Sequence, residues 1–358
     1  MEKRENNIVT IVIPCLNERQ TIVRAVQKAQ RSARGIFGEA FEIIVADNNS
    51  TDGSIELVKK IPAVRIIHVD IRGYGATLHN GILAAKYPYV FFADADLSYD
   101  FGQLSKFLPF MNDGYDLILG SRFKHKMSSG AMPFLNRYVG TPVLTLLIRL
   151  IYGIKTSDCN SGMRAIKRSF YKKLPMRNSG MEWASELLIR TVLAGGRYAE
   201  VPITFQKDRR GKRTHLRRWE DGWRHLKVII LLKPILLLYF AFFFMGLTAV
   251  SFWNFPSLSP PMFLIAQFFI FTYLAAKYLD TAITGVENHV TRFLYRLPLV
   301  LVALVVTTLG VVQLFLLPIQ YTHIKYILLF QAILFDLWLF FIETIKTHLI
   351  YSLSSHHK

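Results

Sequence analysis

From residue 234 to residue 276 the chain carries no Asp, Glu, Lys or Arg. A run that long without charge is rare inside a water-soluble domain. It is ordinary in a bilayer, where about 20 apolar residues cross the hydrocarbon core. Within it, 235–253 is nearly continuous apolar sequence, and 258–276 follows past Pro260 and Pro261. A charge-free run at 297–319 and a fourth at 326–345, which carries Asp336, complete an expected bundle of four transmembrane helices. The span region is taken as 228–350. Two cysteines, Cys15 and Cys159, exclude a disulfide framework and a cysteine-rich zinc site.

The first 227 residues read differently. Residues 1–10 are polar and lack an apolar core, so no secretory signal is expected and 1–227 should stay on the cytoplasmic side. Four spans then return the tail to that side. The connection after the second span carries Lys277, Arg292 and Arg296, whereas 254–261 carries no charge, which agrees with the positive-inside rule. An integral membrane protein with a cytoplasmic catalytic domain is therefore expected. Apolar spans are also surfaces through which copies of a chain can pair into a homo-oligomer.

Residues 8–13 form a β-branched run, 18–33 have helical spacing, and 41–46, 64–69 and 89–93 are further apolar strands with a helix expected at 75–85. Buried strands alternating with helices predict an α/β domain with a mostly parallel sheet. In such sheets ligands gather at the carboxyl ends of the strands. The first strand runs into Pro14, Asn17 and Glu18, the second into Asp47 and then Ser50 to Ser54, and the strand at 89–93 into Asp94-Ala95-Asp96. Acidic groups thus collect at the ligand edge of a chain whose formal net charge is +18. Two carboxylates two residues apart suit one Mg²⁺ or Mn²⁺ ion, which keeps positions open for diphosphate oxygens. Asp47 is expected to be free for a base or ribose, because Asp52-Gly53-Ser54 supplies the local turn and cap. Gly73 and Gly75 precede a helix, where backbone can approach a phosphate closely. Neither a P-loop nor a glycine-rich dinucleotide fingerprint is present.

These motifs, in this order over residues 8–210, resemble glycosyltransferase family 2, and within it the polyprenyl-phosphate sugar synthases. Val12-Ile13-Pro14 with Asn17-Glu18, Asp47 with Ser50 to Gly53, Arg72 to Ala76, Asp94 to Leu97, Gly120-Ser121-Arg122-Phe123, Asp158 to Ala165, and Glu182 with Glu186 carry the resemblance. It implies a GT-A (Rossmann-like) catalytic domain. By position, Pro14, Asn17, Glu18, Asp47, Gly73 and Gly75 are similar to donor-nucleotide residues. Asp94 and Asp96 are similar to the metal and diphosphate motif, and Arg122 to an arginine near both phosphates. Glu182 and Glu186 resemble the acidic positions of the family's base motif and are given supporting roles. Ser98 stands where mannose synthases of the group have Gln, and Asn48 where many relatives have Asp. Both departures favour a UDP-hexose donor, with GDP-mannose next.

Nine of the residues from 207 to 227 are Lys or Arg, and the run leads into the first span. Lipid head groups, not nucleic acid, are the nearer anion. Arg209, Arg210, Lys212 and Arg213 are expected to hold an acceptor phosphate by bidentate contacts. Residues 131–152 and 215–232 are read as helices lying at the bilayer interface. Together these parts predict inverting transfer of a single sugar from a nucleotide-sugar to undecaprenyl or dolichyl phosphate. An anionic acceptor needs no general base. The alternatives are a processive polysaccharide synthase, disfavoured because His215 replaces the Gln of Q-x-x-R-W, and a non-catalytic membrane adaptor.

Overall fold

A computed structural model describes residues 8–210 and 218–233, with isolated positions between 235 and 247 and at 273. The chain divides into two compact units, Met1–Leu232 and Lys233–Lys358, and all elements named below lie in the first. The four expected spans fall almost wholly outside the described residues. Among the described residues no helix is long and apolar enough to cross a membrane.

The strands are β1 (Val9–Cys15), β2 (Phe41–Asp47), β3 (Arg65–His68), β4 (Tyr89–Phe92), β5 (Leu117–Ser121), β6 (Arg164–Lys167) and β7 (Tyr198–Pro202). They form one sheet in the order β3-β2-β1-β4-β6-β5-β7. The β1, β2, β3 and β4 pairings are parallel, as is β5 with β7, while β6 runs antiparallel between β4 and β5. The mostly parallel sheet expected from the alternation of apolar runs is therefore present. The helices are α1 (Ile22–Phe37), α2 (Ser54–Val58), α3 (Tyr74–Ala84), α4 (Leu108–Asn112), α5 (Thr141–Tyr152), α6 (Arg168–Tyr171), α7 (Trp183–Leu193) and α8 (Arg218–Leu231).

α1 buries Ile22, Ala25, Val26, Ala29 and Ala33, one stripe at helical spacing. It begins four residues later than the pattern implies. Asn17 takes φ 57, diverting the chain, and the amides of Thr21 and Ile22 both donate to the Glu18 carbonyl before the helix proper starts. Successive side chains of β4 point to opposite faces. Phe91 therefore packs edge-on to Phe107 at 5.1 Å in one core, and Phe92 meets Trp183 at 5.7 Å in the other.

Strand β6 is not foreseen from periodicity. Its four residues are too few to show a pattern, yet it carries the 158–163 segment across the ligand edge of the sheet. There the Gly162 amide donates to the Tyr99 hydroxyl at 2.7 Å. Arg164, fully buried at the start of β6, holds that segment. Its guanidinium donates to the carbonyls of Ser161 (2.9 Å), Cys159 (2.7 Å) and Ala184 (2.6 Å). Replacing it by Met would strand three buried carbonyls, each costing about 1–3 kcal/mol when unpaired. Arg164→Met should therefore lower unfolding free energy by about 3 kcal/mol or more. Denaturant titration followed by Trp fluorescence reads this directly, and a loss below about 0.5 kcal/mol, the scale of a surface substitution, would contradict the account.

Candidate active site

A cavity of about 1040 Å³ opens at the carboxyl ends of β1 and β4. In the β1–β4 register Val12 pairs with Phe92, so two residues further on Asp94 stands level with Pro14. Pro14, Glu18, Asp94, Asp96, Arg122 and Arg210 all line this cavity. The structure thus brings together most of the residues that the strand-end argument selected.

The turn after β4 is shaped around Asp96. Leu97 has φ 64, a conformation that L residues seldom adopt and that is found where function holds the backbone. It folds Ser98 back so that its amide (2.9 Å) and hydroxyl (2.6 Å) both donate to Asp96 Oδ1. Ser98 therefore orients the carboxylate and leaves Oδ2 facing the cavity. Asp94 accepts a hydrogen bond from the Tyr74 hydroxyl at 2.9 Å. Burial, then the neighbouring Asp96 charge, raises its proton affinity. Burial likewise pushes Glu18 up to about 7, against the opposing pull of Arg210.

A strap after β7 closes over this turn. The Gln206 amide donates to the Ser98 carbonyl (2.9 Å) and the Arg209 amide to the Asp96 carbonyl (3.1 Å). Its last described residue, Arg210, bonds Asp208 and reaches Glu18 Oε1 at 2.9 Å and Asp96 Oδ2 at 3.3 Å. Lys212 and Arg213 lie outside the described residues. Arg122 makes a two-pronged pair with fully buried Asp158 (2.7 and 2.8 Å), and its guanidinium lies 5.3 Å from the Phe205 ring centroid.

Three expectations need correction, and the supporting role given to Glu186 becomes specific. Asp47 is not free: Oδ1 accepts from the Ser50 amide (3.1 Å) and Oδ2 pairs with His68 Nδ1 (3.2 Å), so it shapes its own turn. Asn17 does not line the cavity, because its side-chain oxygen accepts from the Thr51 amide at 2.8 Å. The start of α3 is not an open phosphate cradle. The amide of Gly73 donates to Asn48 Oδ1, that of Gly75 to the Gly180 carbonyl and that of Ala76 to the Ser179 carbonyl. Gly73, at φ 144, is required because a Cβ would come within 2.1 Å of the Ser179 carbonyl oxygen. Glu186 is structural. Fully buried, it accepts from the amides of Arg177 and Asn178 and pairs with Arg190 at 2.6 Å.

Other residues take their roles only from the structure. Asn48 donates to the Val69 and Ile71 carbonyls while accepting from Gly73, so it fixes the 69–73 segment that carries Tyr74 to Asp94. A second polar chain joins Asn160, Ser185 and His225, with Ser185 Oγ 3.1 Å from Asn160 Oδ1 and 2.8 Å from His225 Nδ1. Asn48 was visible in the sequence as a departure from its relatives. His225 sits in a basic helix and has no local signal. Both thiols are buried and raised, Cys15 to about 12 and Cys159 to about 11, which leaves them unsuited to nucleophilic work.

The family profile described as Glycosyl transferase family 2 matches residues 10–175. The chain is 33% identical over 229 residues to the low-salt glycan biosynthesis hexosyltransferase Agl6 of Haloferax volcanii, covering 63% of this chain and 54% of that protein. It is also 33% identical over 202 residues to the dolichyl-phosphate hexose transferase of that organism, covering 56% and 83%. The match thus spans about half the length of the first relative and most of the second. Among solved structures, the glucosyl-3-phosphoglycerate synthase of Mycobacterium tuberculosis, in complex with Mn²⁺, UDP-glucose and phosphoglyceric acid, aligns with a TM-score of 0.51 at 21% identity. That alignment covers 64% of this chain and 80% of that one. The likeness is one of fold, the GT-A arrangement of a mostly parallel sheet.

His225 also sets a pH dependence. Burial, aided by the Arg164 charge, lowers it from the ordinary 6.5 to about 4. Between those values the unfolded chain binds more protons than the folded one, so stability falls as pH drops through 6.5 and levels off near 4. The 2.5-unit shift corresponds to about 3 kcal/mol. Glu18 acts with the opposite sign: its rise from 4.5 to about 7 makes stability fall as pH rises across that window. The variant isolates the histidine. In His225→Gln the loss on acidification from pH 7 to pH 4 should shrink by about 3 kcal/mol. Parallel curves for the two proteins would show that His225 is not held neutral.

Proposed function

The chain belongs to glycosyl transferase family 2, and on that premise we propose that it transfers one hexose from a nucleotide-sugar to a polyprenyl phosphate at a membrane surface. The observation that carries this reading is the cavity itself. Three carboxylates, Glu18, Asp94 and Asp96, meet under a strap whose Arg210 bridges two of them. The dolichyl-phosphate hexose transferase among its relatives supports the acceptor class. UDP-hexose remains the favoured donor, ahead of GDP-mannose.

The residues present fit a divalent cation. Three carboxylates crowd into this cavity, and burial first, then their mutual repulsion, raises the proton affinities of Glu18 and Asp94. Hard oxygen ligands of this kind suit Mg²⁺ or Mn²⁺. Asp96, whose Oδ2 faces the cavity and meets Arg210, and Asp94 would hold the ion, which would offset the charge of the departing nucleoside diphosphate. The protein's own residues do the rest. Ser98 and Tyr74 hold the two carboxylates in place. Arg122, kept rigid by Asp158, presents fixed positive charge to the cavity. Arg209 and Arg210, with Lys212 and Arg213, would hold the acceptor phosphate against the donor. A phosphate oxygen forms the new bond to the anomeric carbon as the bond to the diphosphate breaks on the opposite face, which inverts the configuration. The acceptor oxygen is already anionic, so no residue has to remove a proton.

The membrane setting is part of the proposal. Phe134, Tyr138, Val143, Leu146 and Leu150 are exposed along the π-helical turn Asn136–Gly140 and α5, while Thr141, Leu144 and Ile148 face inward. Exposed apolar side chains repeated at helical spacing suit a helix lying on lipid. This supports the interface role expected for 131–152, beside a strap that would meet a lipid phosphate. The run of spans at 228–350 rests on sequence alone.

The test offers the purified full chain UDP- and GDP-sugars with undecaprenyl or dolichyl phosphate and weighs the lipid product. One added hexose supports the reading, whereas a ladder of sugars would make the protein a polymerase. Chelation with EDTA should stop transfer and Mn²⁺ should restore it. Asp96→Ala should retain the fold and lose transfer by at least about 100-fold. Turnover within about threefold of the unmodified protein at saturating Mn²⁺ would remove Asp96 from the metal site.

A further inference from the structure

Glu182 stands immediately before α7 and lines the cavity, yet it is more than nine-tenths buried. Among the described residues its Oε2 has no hydrogen-bond partner. A buried carboxylate oxygen left without a donor costs free energy, and native structures seldom tolerate one without a reason. The placement is deliberate in physical terms. The carboxylate folds back over Gly180, where a Cβ would lie 2.4 Å from Oε2, so a larger residue there would make it swing away. Gly180 and Ser179 are in turn fastened to the start of α3 by the amides of Gly75 (3.2 Å) and Ala76 (3.0 Å). Tyr74 of the same turn holds Asp94. The segment that carries Glu182 and the turn that holds Asp94 are therefore joined in one hydrogen-bonded wall.

Charge decides what such an acceptor can meet. A diphosphate or phosphate would be repelled by it, whereas Arg210 and Arg122, which line the same cavity, offer those groups positive charge. The cation proposed above would be held by Asp94 and Asp96, which leaves Glu182 outside its ligand set. A neutral ligand rich in O–H donors remains. Vicinal hydroxyls match a carboxylate, which has two acceptor oxygens and no donor. Resting on the function proposed above, we infer that Glu182 accepts hydrogen bonds from hydroxyls of the donor's hexose and so selects the sugar.

The experiment compares binding of nucleotide-sugar with binding of the bare nucleoside diphosphate. The probes are UDP-glucose, UDP-galactose, UDP-N-acetylglucosamine and GDP-mannose, each against UDP or GDP, on the full chain with Mn²⁺ present. Glu182→Gln keeps the shape and replaces one acceptor oxygen by a donor. It should weaken the best nucleotide-sugar by at least about tenfold, as expected for a lost hydrogen bond to a charged group, and leave the diphosphate within about twofold. In the unmodified protein, a deoxy analogue lacking the contacted hydroxyl should lose a similar factor, and the variant should not distinguish it. Equal losses for sugar-nucleotide and diphosphate, or no loss for either, overturn the inference while the proposed function stands. Should the variant not fold, the deoxy series on the unmodified protein decides. If every hydroxyl deletion costs less than about threefold, well short of a charged hydrogen bond, Glu182 does not read the sugar. Failure of the unmodified protein to bind any of the four donors overturns the functional reading, and this inference with it.

Discussion

The structure depends on bringing carboxylates of like charge into one low-dielectric cavity. Coulomb repulsion and lost hydration both oppose this, and the raised proton affinities of Glu18 and Asp94 record the opposition. The fold answers with fixed partners. Ser98 takes one edge of Asp96, Tyr74 takes Asp94, and Arg210 reaches across from the strap to Glu18 and Asp96. What stays unbalanced is the negative charge that the proposed cation would offset.

Much of the remaining architecture serves to hold that turn still. Arg164 pins the segment from Cys159 to Ser161 to the start of α7, and Asn48 pins the 69–73 segment to β2. The left-handed Leu97 is maintained because both its neighbours are committed, Asp96 to the cavity and Ser98 to Asp96. Backbone strain of this kind persists only where surrounding contacts over-determine it. The same logic explains why the glycines before α3 face protein backbone. Their close approach is to the 178–180 segment, which aligns one wall of the cavity with another.

The sheet and the strand-end acids were legible because each leaves a local trace. Continuous β-branched runs mark buried parallel strands, and Asp94 and Asp96 follow directly on one of them. Asp47 was legible as a position but not as a role, because His68 is brought beside it by β3 pairing, twenty-one residues away. Glu182 and Glu186 look equivalent in the sequence. Glu186 lies under two amides and an arginine, whereas Glu182 stands at the cavity with its Oε2 unpartnered among the described residues. His225 and β6 leave no pattern long enough to read.

Sequence by itself determined the class of fold, the division between an α/β region and an apolar one, and the edge of the sheet where ligands would gather. Those follow from periodicity and composition, which are properties of neighbouring residues. Tertiary structure decided which acids face the cavity, which serve as props, and that Arg210 is the cation crossing it. Such assignments depend on distances between residues up to 192 positions apart. Charges and hydrogen bonds act through space, so no local pattern along the chain encodes them.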